Sequence, residues 1–551
     1  MANLIPPPVT YPGVYIQEIA SGSRTITGAP TSIAAFVGRT RRGPVNRPVQ
    51  IDSFGVFIQL FGGLDFDTPM TYAVQDFFNN GGTTAWICRV WAADAGDGTA
   101  VFGAPPPAGP PPKQDTPVGF QAANPGAWGD GLKLTISRAP TSRAVPPELA
   151  ALGLTTADLF DITIEGPTPG RHGVSSPVTQ ETFRDCAVHP DAGDHRIDRV
   201  LTHQSLMARV LGNPDAETFE QLHAGMPEDT DTQTAAGGVD SQPLVAADYT
   251  DAPDRGLHLL DQVDIFNILA VPPDRFGQDT DPAVLRASLE RCHTRRAILI
   301  VDAPIAWQAQ IQAQGALPAD FDTAWSALGL SELPTGRNAA VYFPYVTRHD
   351  PLHPKIARSF PPCGIVAGVY ARTDAQFGVA KAPAGLQASM NGIEGLTISV
   401  NDDLNGALNS RGINVLRTFP AVGDVIWGAR TARGADALAS DYKYLSVRRL
   451  ALFIEASLYG GLGWTVFEPN TEETWQSVRQ SIGTFLDQQF RSGSLAGATQ
   501  KDAYFVKVDS STTTAYDVEQ GVMNMVVGFA PMKPAEFIVL YLELKVGSPS
   551  P

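Results

Sequence analysis

Two sets of side chains in this sequence have the types that a metal site uses. Cys292 and His293 are adjacent, and Asp194, His195 and His203 fall close together. Thiolate, imidazole and carboxylate can build a tetrahedral zinc site, but such a site needs four ligands and the Cys292 pair supplies two. Cys292 also falls near the end of an expected helix, where a buried cysteine is common. The Asp194 set stands in a polar stretch and reads as surface. Phosphate chemistry has two candidates. "GVAKAPAG" has the glycines of a phosphate loop without the GxxxxGK[ST] order, and reads as a surface turn. Arg39, Arg41, Arg42 and Arg47 form the densest positive cluster near the N-terminus. Such a cluster is a solvated turn, a phosphate site, or a contact for acidic surface on a neighbouring copy of the chain. No GxGxxG follows a strand, and HExxH and GxSxG do not occur. No catalytic residue, metal ligand or cofactor is therefore expected.

The totals set the frame that positions these residues. A chain of 551 residues exceeds one hydrophobic core, so about two to four domains are expected. With 43% hydrophobic and 18% charged residues the composition is that of a globular protein, and 52 glycines with 45 prolines imply many turns. The formal net charge of −17 argues against nucleic acid or an anionic membrane as partner, because both draw on basic surface. Cys88, Cys186, Cys292 and Cys363 are widely spaced, which fits a reducing compartment better than a disulfide framework. "MANLIPPPVTYPG" has no charged segment followed by an apolar one, and no apolar run reaches the ~18 residues of a membrane span. Synthesis in the cytosol is expected, with any release by a route other than general secretion.

Along the chain, "TSIAAFVGRTRRGP" reads as a buried strand closed by a Gly-Pro turn, "YAVQDFFNNGG" as a helix ended at Gly81, and "TAWICRVW" as a strand. Six prolines between Pro105 and Pro112 then mark a connector that cannot join a sheet interior. "KLTISRA" and "LFDITIEG" indicate a mostly β segment, and "MPEDTDTQTAAGGVDSQP" an exposed loop on it. "VDIFNILAVPP", "DPAVLRASLERCH" and "RRAILIVDAP" make a β-α-β unit, followed by the strand "NAAVYFPYV". Further on, Val447, Leu450, Ala451, Ile454 and Leu458 share one helical face, with Gly460 placed to stop the helix. Asn470 and Glu473 have capping-box spacing before the helical stripe Trp475, Val478, Ile482, Phe485 and Leu486. "GWTVFEP" between the two helices reads as a short strand.

Extended apolar segments stand at both ends of the chain: Val14, Tyr15, Ile16, Gln17, Glu18 and Ile19 near the start, and Phe537, Ile538, Val539, Leu540, Tyr541 and Leu542 near the end. Six apolar residues in a row need cover on both faces, and an uncovered edge invites another chain. Spacing alone leaves open whether these strands pair within their own domain or with another copy.

The words "YPGVYIQEI", "AFVGRTRRGP", "FFNNGGTTAWICRV", "ANPGAWGDGLKLTI" and "PPCGIVAGVYARTDAQFGVAKAPAG" follow one another in order, and "GINVLRTFP", "DYKYLSVRRLALFIEASL", "WTVFEPN" and "GVMNMVVGFAPMKPAEFIV" continue them. This ordered set resembles the contractile tail sheath proteins of myophages, phage-tail-like bacteriocins and extracellular contractile injection systems. The matching words cover the first 95 residues and nearly all of the last 210; residues 96–345 match in patches. The resemblance implies a mixed α/β, multidomain fold: an inner α/β domain built from both chain ends, with inserted outer domains and extended terminal β-arms. On that reading the parts are an N-terminal arm 1–20, the inner domain 21–95, a proline-rich linker 96–119, a mostly β outer domain 120–256, an inserted α/β domain 257–346, the rest of the inner domain 347–530 and a C-terminal arm 531–551.

The resemblance further implies a non-enzymatic subunit that polymerises with itself around an inner tube protein, together with baseplate and terminator proteins. It would act in the bacterial cytoplasm during assembly or in a released phage-tail-like particle. Its arms would exchange strands between subunits, with Pro12, Gly13, Pro531 and Pro534 as swivels at their roots. Arg479, Arg491 and Lys501 are expected to face the tube, because the two partners should meet through complementary charge. The rival expectation is an α/β enzyme holding a nucleotide on the 257–346 unit, although "PPDRFG" stands where a glycine-rich turn belongs. A tube or baseplate component of the same machine is a third reading.

Overall fold

Strands that are apolar on both faces must lie inside a sheet with cover on each side. Ala34–Gly38, Ile298–Asp302 and Ala339–Phe343 are of this kind, and in the computed structural model they occupy the middle of one eight-stranded sheet. The structure describes residues 24–92, 98–103, 119–166, 180–212, 215 and 218–536, so the arm strands at 14–19 and 537–542 lie outside the described residues. By its internal contacts the chain divides into a unit of Met1–Ala29 with Ile454–Met532 and a larger one of Pro30–Phe453 with Lys533–Pro551.

In the larger unit the sheet order is Gly423–Ile426, Ile413–Phe419, Ala339–Phe343, Ile298–Asp302, Ile268–Ala270, Ala34–Gly38, Ala85–Arg89, Val49–Ile51. The six inner strands are parallel and the two edge strands antiparallel. Side chains of a strand alternate between faces. Ala35, Val37, Leu269, Leu299, Val301 and Val341 therefore enter one core, with the helices Pro282–Arg295 and Ile305–Gln314. Ala34, Phe36, Ile268, Ile300 and Tyr342 enter the other, with the helices Phe54–Phe61, Pro69–Asn79 and Cys363–Phe377.

This topology corrects the expected status of 257–346. The segment is no separate insert: its strands continue the sheet begun by Ala34–Gly38, pairing Ala34 with Ile268 and Phe36 with Ala270. The physical reason is that Ala34–Gly38 has two hydrogen-bonding edges, and Ala85–Arg89 satisfies only one of them.

Between Ala85–Arg89 and Ile268–Ala270 the chain makes a seven-stranded antiparallel sheet, as the mostly β reading of that region expects. One strand in it was expected to be loop. Asp231–Ala236 pairs with Lys133–Arg138 on one side and Val101–Phe102 on the other, because "DTQTAA" alternates its exposure and its threonines suit a pleated surface. Arg89, 1% exposed, lies where this insert leaves the main sheet and donates to the carbonyls of Thr40 (3.1 Å), Gly43 (2.6 Å) and Pro125 (2.9 Å). Burial lowers its pKa to about 9.

Buried ion pairs tie a helix to a strand and helices to one another. Arg348 in Val346–Asp350 meets Asp76 in Pro69–Asn79, with Nη2 3.0 Å from Oδ2. Arg449 meets Asp374 with both side chains under 5% exposed. At the carboxyl end of Ile298–Asp302, Asp302 accepts from the amide of Cys363, which opens Cys363–Phe377 (2.8 Å). Burial nevertheless raises the Asp302 carboxyl to about 7. The fold thus favours the neutral acid over the unfolded chain's value of ~4. The resulting penalty is absent below pH ~4, grows as pH rises and is complete above about 7. Asp302→Asn, which keeps the acceptor, is expected to be more stable than the wild type at pH 8, by about 1–3 kcal/mol, and to lose that advantage by pH ~4.5. Urea unfolding at the two pH values checks this; an equal difference at both would contradict it.

Candidate functional site

The smaller unit is organised by the helix Glu472–Arg491. Trp475, Val478, Ile482, Phe485 and Leu486 are buried along it, the stripe that the periodicity marks. Its start differs from expectation. Thr471 is the N-cap, while Asn470 Oδ1 accepts from Trp475 Nε1 at 2.7 Å, so the Asn470–Glu473 capping box does not form. The expected strand in "GWTVFEP" is a single tight turn, Gly463–Thr465, because Thr465 and Glu468 donate backbone bonds to residues three before them and curl the chain. Phe467 follows with φ +68 and a fully exposed side chain. The helix expected to stop at Gly460 runs one residue further, to Gly461.

Two strands that sequence reasoning did not mark, Tyr504–Lys507 and Val526–Phe529, form an antiparallel hairpin with Tyr504 opposite Phe529 and Lys507 opposite Val526. Among the described residues neither strand has a second neighbour. Each outer edge therefore presents backbone N–H and C=O groups to an incoming strand. The hairpin is fixed to the long helix by Tyr504 Oη donating to the Gly483 carbonyl (3.2 Å) and by Arg479 donating to the Val508 carbonyl. Its ladder continues through Ala530 N to Ala503 O (2.8 Å) and a bridge between Leu495 and Pro531. Pro531, expected as a swivel, is thus held in the sheet.

The chain leading from the first arm is stitched to the same unit. Arg24 N donates to Ser481 Oγ (3.1 Å) and Ala29 N to Ser457 Oγ (2.9 Å). Between them Ile26 is 3% exposed and lies against Gly461, where an added Cβ would stand 2.6 Å from Ile26 Cγ2.

Of the three basic residues expected to face a tube, Arg479 and Lys501 line one open depression of about 680 Å³, with Gln476, Gln480, Tyr504 and Phe505. Arg479 is engaged by Val508 and by Glu472 at 3.0 Å. Arg491 is paired with Asp487 at 2.7 Å and lies outside that lining, while Lys501 makes no ion pair among the described residues.

The residues with chemical types have other occupations. Cys292 is buried in the core with Val284, Leu285 and Leu289, and burial pushes its thiol well up. His195 bridges the Asp185 carbonyl (3.0 Å) and Glu148 (3.1 Å), and His203 is exposed. Among the described residues no three His, Cys, Asp or Glu side chains are placed to hold a metal ion. The arginine cluster divides: Arg41 and Arg47 are exposed, as a solvated turn expects, while Arg39 and Arg42 are held within the chain. Arg39 pairs with Asp274 at 2.9 Å, with side chains 12% and 7% exposed, and the buried Arg42 donates to the Gln59 carbonyl at 2.6 Å. The Arg39–Asp274 pair sits where Ala34–Gly38 and Ile268–Ala270 end, which is the switch point at which a doubly wound sheet takes its nucleotide. Among the described residues no helix is long and apolar enough to cross a membrane.

No family model and no curated protein matches the sequence. Solved structures do. A sheath tail protein from Listeria innocua superposes with a TM-score of 0.57 at 14% identity, over 92% of this chain and 96% of that one. A sheath complex of an extracellular contractile injection system in the contracted state gives 0.54 at 20% identity over 98% of both chains. The helical sheath of an anti-feeding prophage, also contracted, gives 0.53 at 23% over 97% and 99%. This chain has the sheath-subunit fold.

Within the sheath-subunit fold, the hairpin is the feature that sequence reasoning missed. The alternation in "YFVK" was its available signal, faint because each strand has only four residues. Gly461 is its other silent element. Gly461→Val is expected to displace Ile26, cost about 1–3 kcal/mol and raise amide exchange at Arg24 and Ala29 about tenfold. Hydrogen-exchange mass spectrometry checks this, and unchanged protection over 24–29 would contradict it.

Proposed function

We propose that this chain is a structural subunit of a helical contractile sheath, which polymerises around an inner tube and contracts to drive it through a target envelope. The observation that carries this reading is the hairpin whose two outer edges have no neighbour among the described residues, in a chain with the sheath-subunit fold. Residues 14–19 of one copy and 537–542 of another add strands to the hairpin of a third. Six residues making about four backbone bonds at ~0.5–1.5 kcal/mol each, and burying two or three large side chains at ~1.5–3 kcal/mol each, hold a neighbour by several kcal/mol before ordering costs. Baseplate and terminator proteins cap the polymer at its ends.

Contraction needs no nucleotide on the subunit in this account. Assembly on the tube traps an extended lattice, and rearrangement to a wider, shorter one that buries more surface releases the stored free energy. The tube is met by Arg479, Arg491 and Lys501, of which Lys501 is the readiest, since Arg479 and Arg491 already hold partners within the chain.

Negative-stain microscopy tests the reading. The purified chain is expected to form hollow striated cylinders, and deletion of residues 1–19 to leave a folded monomer that does not polymerise; cylinders of ordinary length from the deletion would refute strand exchange. Lys501→Glu is expected to weaken tube retention about tenfold at low salt, with the difference narrowing as salt rises, in a co-sedimentation assay.

A further inference from the structure

Glu536 is the last described residue of the C-terminal arm 531–551, just ahead of its apolar segment 537–542, and it is seated in a site that no sequence pattern announces. Arg430, with its side chain 1% exposed, donates Nε to Glu536 Oε1 and Nη2 to Oε2, both at 2.7 Å. This is the bidentate fork geometry that Arg makes with a carboxylate. Asn409 Nδ2 adds a bond to Oε1 at 2.9 Å and Tyr444 Oη one to Oε2 at 3.3 Å, while Lys443 Nζ stands 3.8 Å from Oε2. The remaining Arg430 nitrogen is spent on the Asn409 carbonyl (2.7 Å) and on Asp436 (3.0 Å). The backbone of Arg430 is bound on both sides by Asn414, donating from its N to Oδ1 at 2.7 Å and accepting from Nδ2 at 2.8 Å. Asn414 belongs to Ile413–Phe419, which pairs with Ala339–Phe343 in the eight-stranded sheet.

Glu536 is therefore fastened to the larger unit, whereas Met532, four residues earlier, donates its backbone N–H to Ser494 in the hairpin unit. Pro534 falls between these two attachments. The swivel expected at the arm root lies upstream of an anchor and separates the hairpin from it.

We propose that Arg430, Asn409, Tyr444 and Lys443 form a carboxylate socket for Glu536, which anchors the C-terminal arm to the eight-stranded sheet. The two arms are then strung from different units: the first from the helices around Ser457 and Ser481, the second from Ile413–Phe419 through Asn414 and Arg430. Tension on residues 537–551 is delivered to the sheet and bypasses the hairpin that receives strands from other copies. This mechanical consequence rests on the sheath reading; the socket rests on its own geometry.

The test uses the full chain with Glu536→Ala and Glu536→Asp, the second keeping the charge on a side chain too short to reach the fork. A nitroxide spin label on Ala535→Cys, the four native cysteines being buried, reads motion beside the anchor in the unassembled chain. Its correlation time is expected to fall about fivefold in both variants, with hydrogen exchange over Cys363–Phe377 unchanged as the control for folding. Unaltered label motion would overturn the socket as an anchor. In assembled material both variants keep the residues of the arm strands, so they are expected to polymerise and to break into short fragments at lower urea than the wild type. Faster label motion with wild-type urea resistance would overturn the transfer of tension. A wild-type chain that forms no polymer would refute the sheath reading, and the label result would still decide the socket.

Discussion

The architecture depends on one strand pairing. Ala34–Gly38 is five residues long, wholly buried, and hydrogen-bonded in parallel on both edges, to Ala85–Arg89 and to Ile268–Ala270. Parallel partners cannot be joined by a tight turn. The chain must leave the sheet and come back, and the long return from Arg89 to Ile268 is where a complete β domain hangs. Its excursion costs little once the strands are paired, because loop-closure entropy grows only slowly with length.

Buried charge fixes how these pieces meet. Arg89 binds four backbone carbonyls at the exit of the insert, Asp76 and Arg348 join a helix to the Val346–Asp350 strand, and Arg39 pairs with Asp274 beyond the ends of Ala34–Gly38 and Ile268–Ala270. Such groups cost desolvation, and replacement by apolar residues is often neutral or stabilising. What they add here is placement, since each has partners at one position only. Glu536 in the Arg430 socket repeats the same device at the last described residue.

Long periodic elements were legible in the sequence. The stripe from Trp475 to Leu486, the strand "AAFVG" and the β-α-β order around Pro282–Arg295 are all where hydrophobic spacing puts them. The pairing of Ile268–Ala270 with Ala34–Gly38 was not legible, because register between strands more than two hundred residues apart leaves no local pattern. Asp231–Ala236 was hidden by its polarity, and "TVFEP" looked extended because composition does not reveal the bonds that curl Gly463–Thr465. The hairpin and the socket share a cause: four-residue strands and a single Glu–Arg pair carry too few residues to form a period. The four cysteines are buried, and of the arginine cluster Arg39 and Arg42 are paired within the chain while Arg41 and Arg47 stay exposed.

The central claim is that the hairpin at Tyr504–Lys507 and Val526–Phe529 receives strands from other copies. The most direct measurement places a photo-crosslinking residue at Ile16 in isotopically light chains, assembles them with heavy chains, and maps the adducts by mass spectrometry. The account predicts light-to-heavy adducts on residues 504–507 or 526–529. Adducts confined to light chains, or to the crosslinked chain's own sheet, would contradict it.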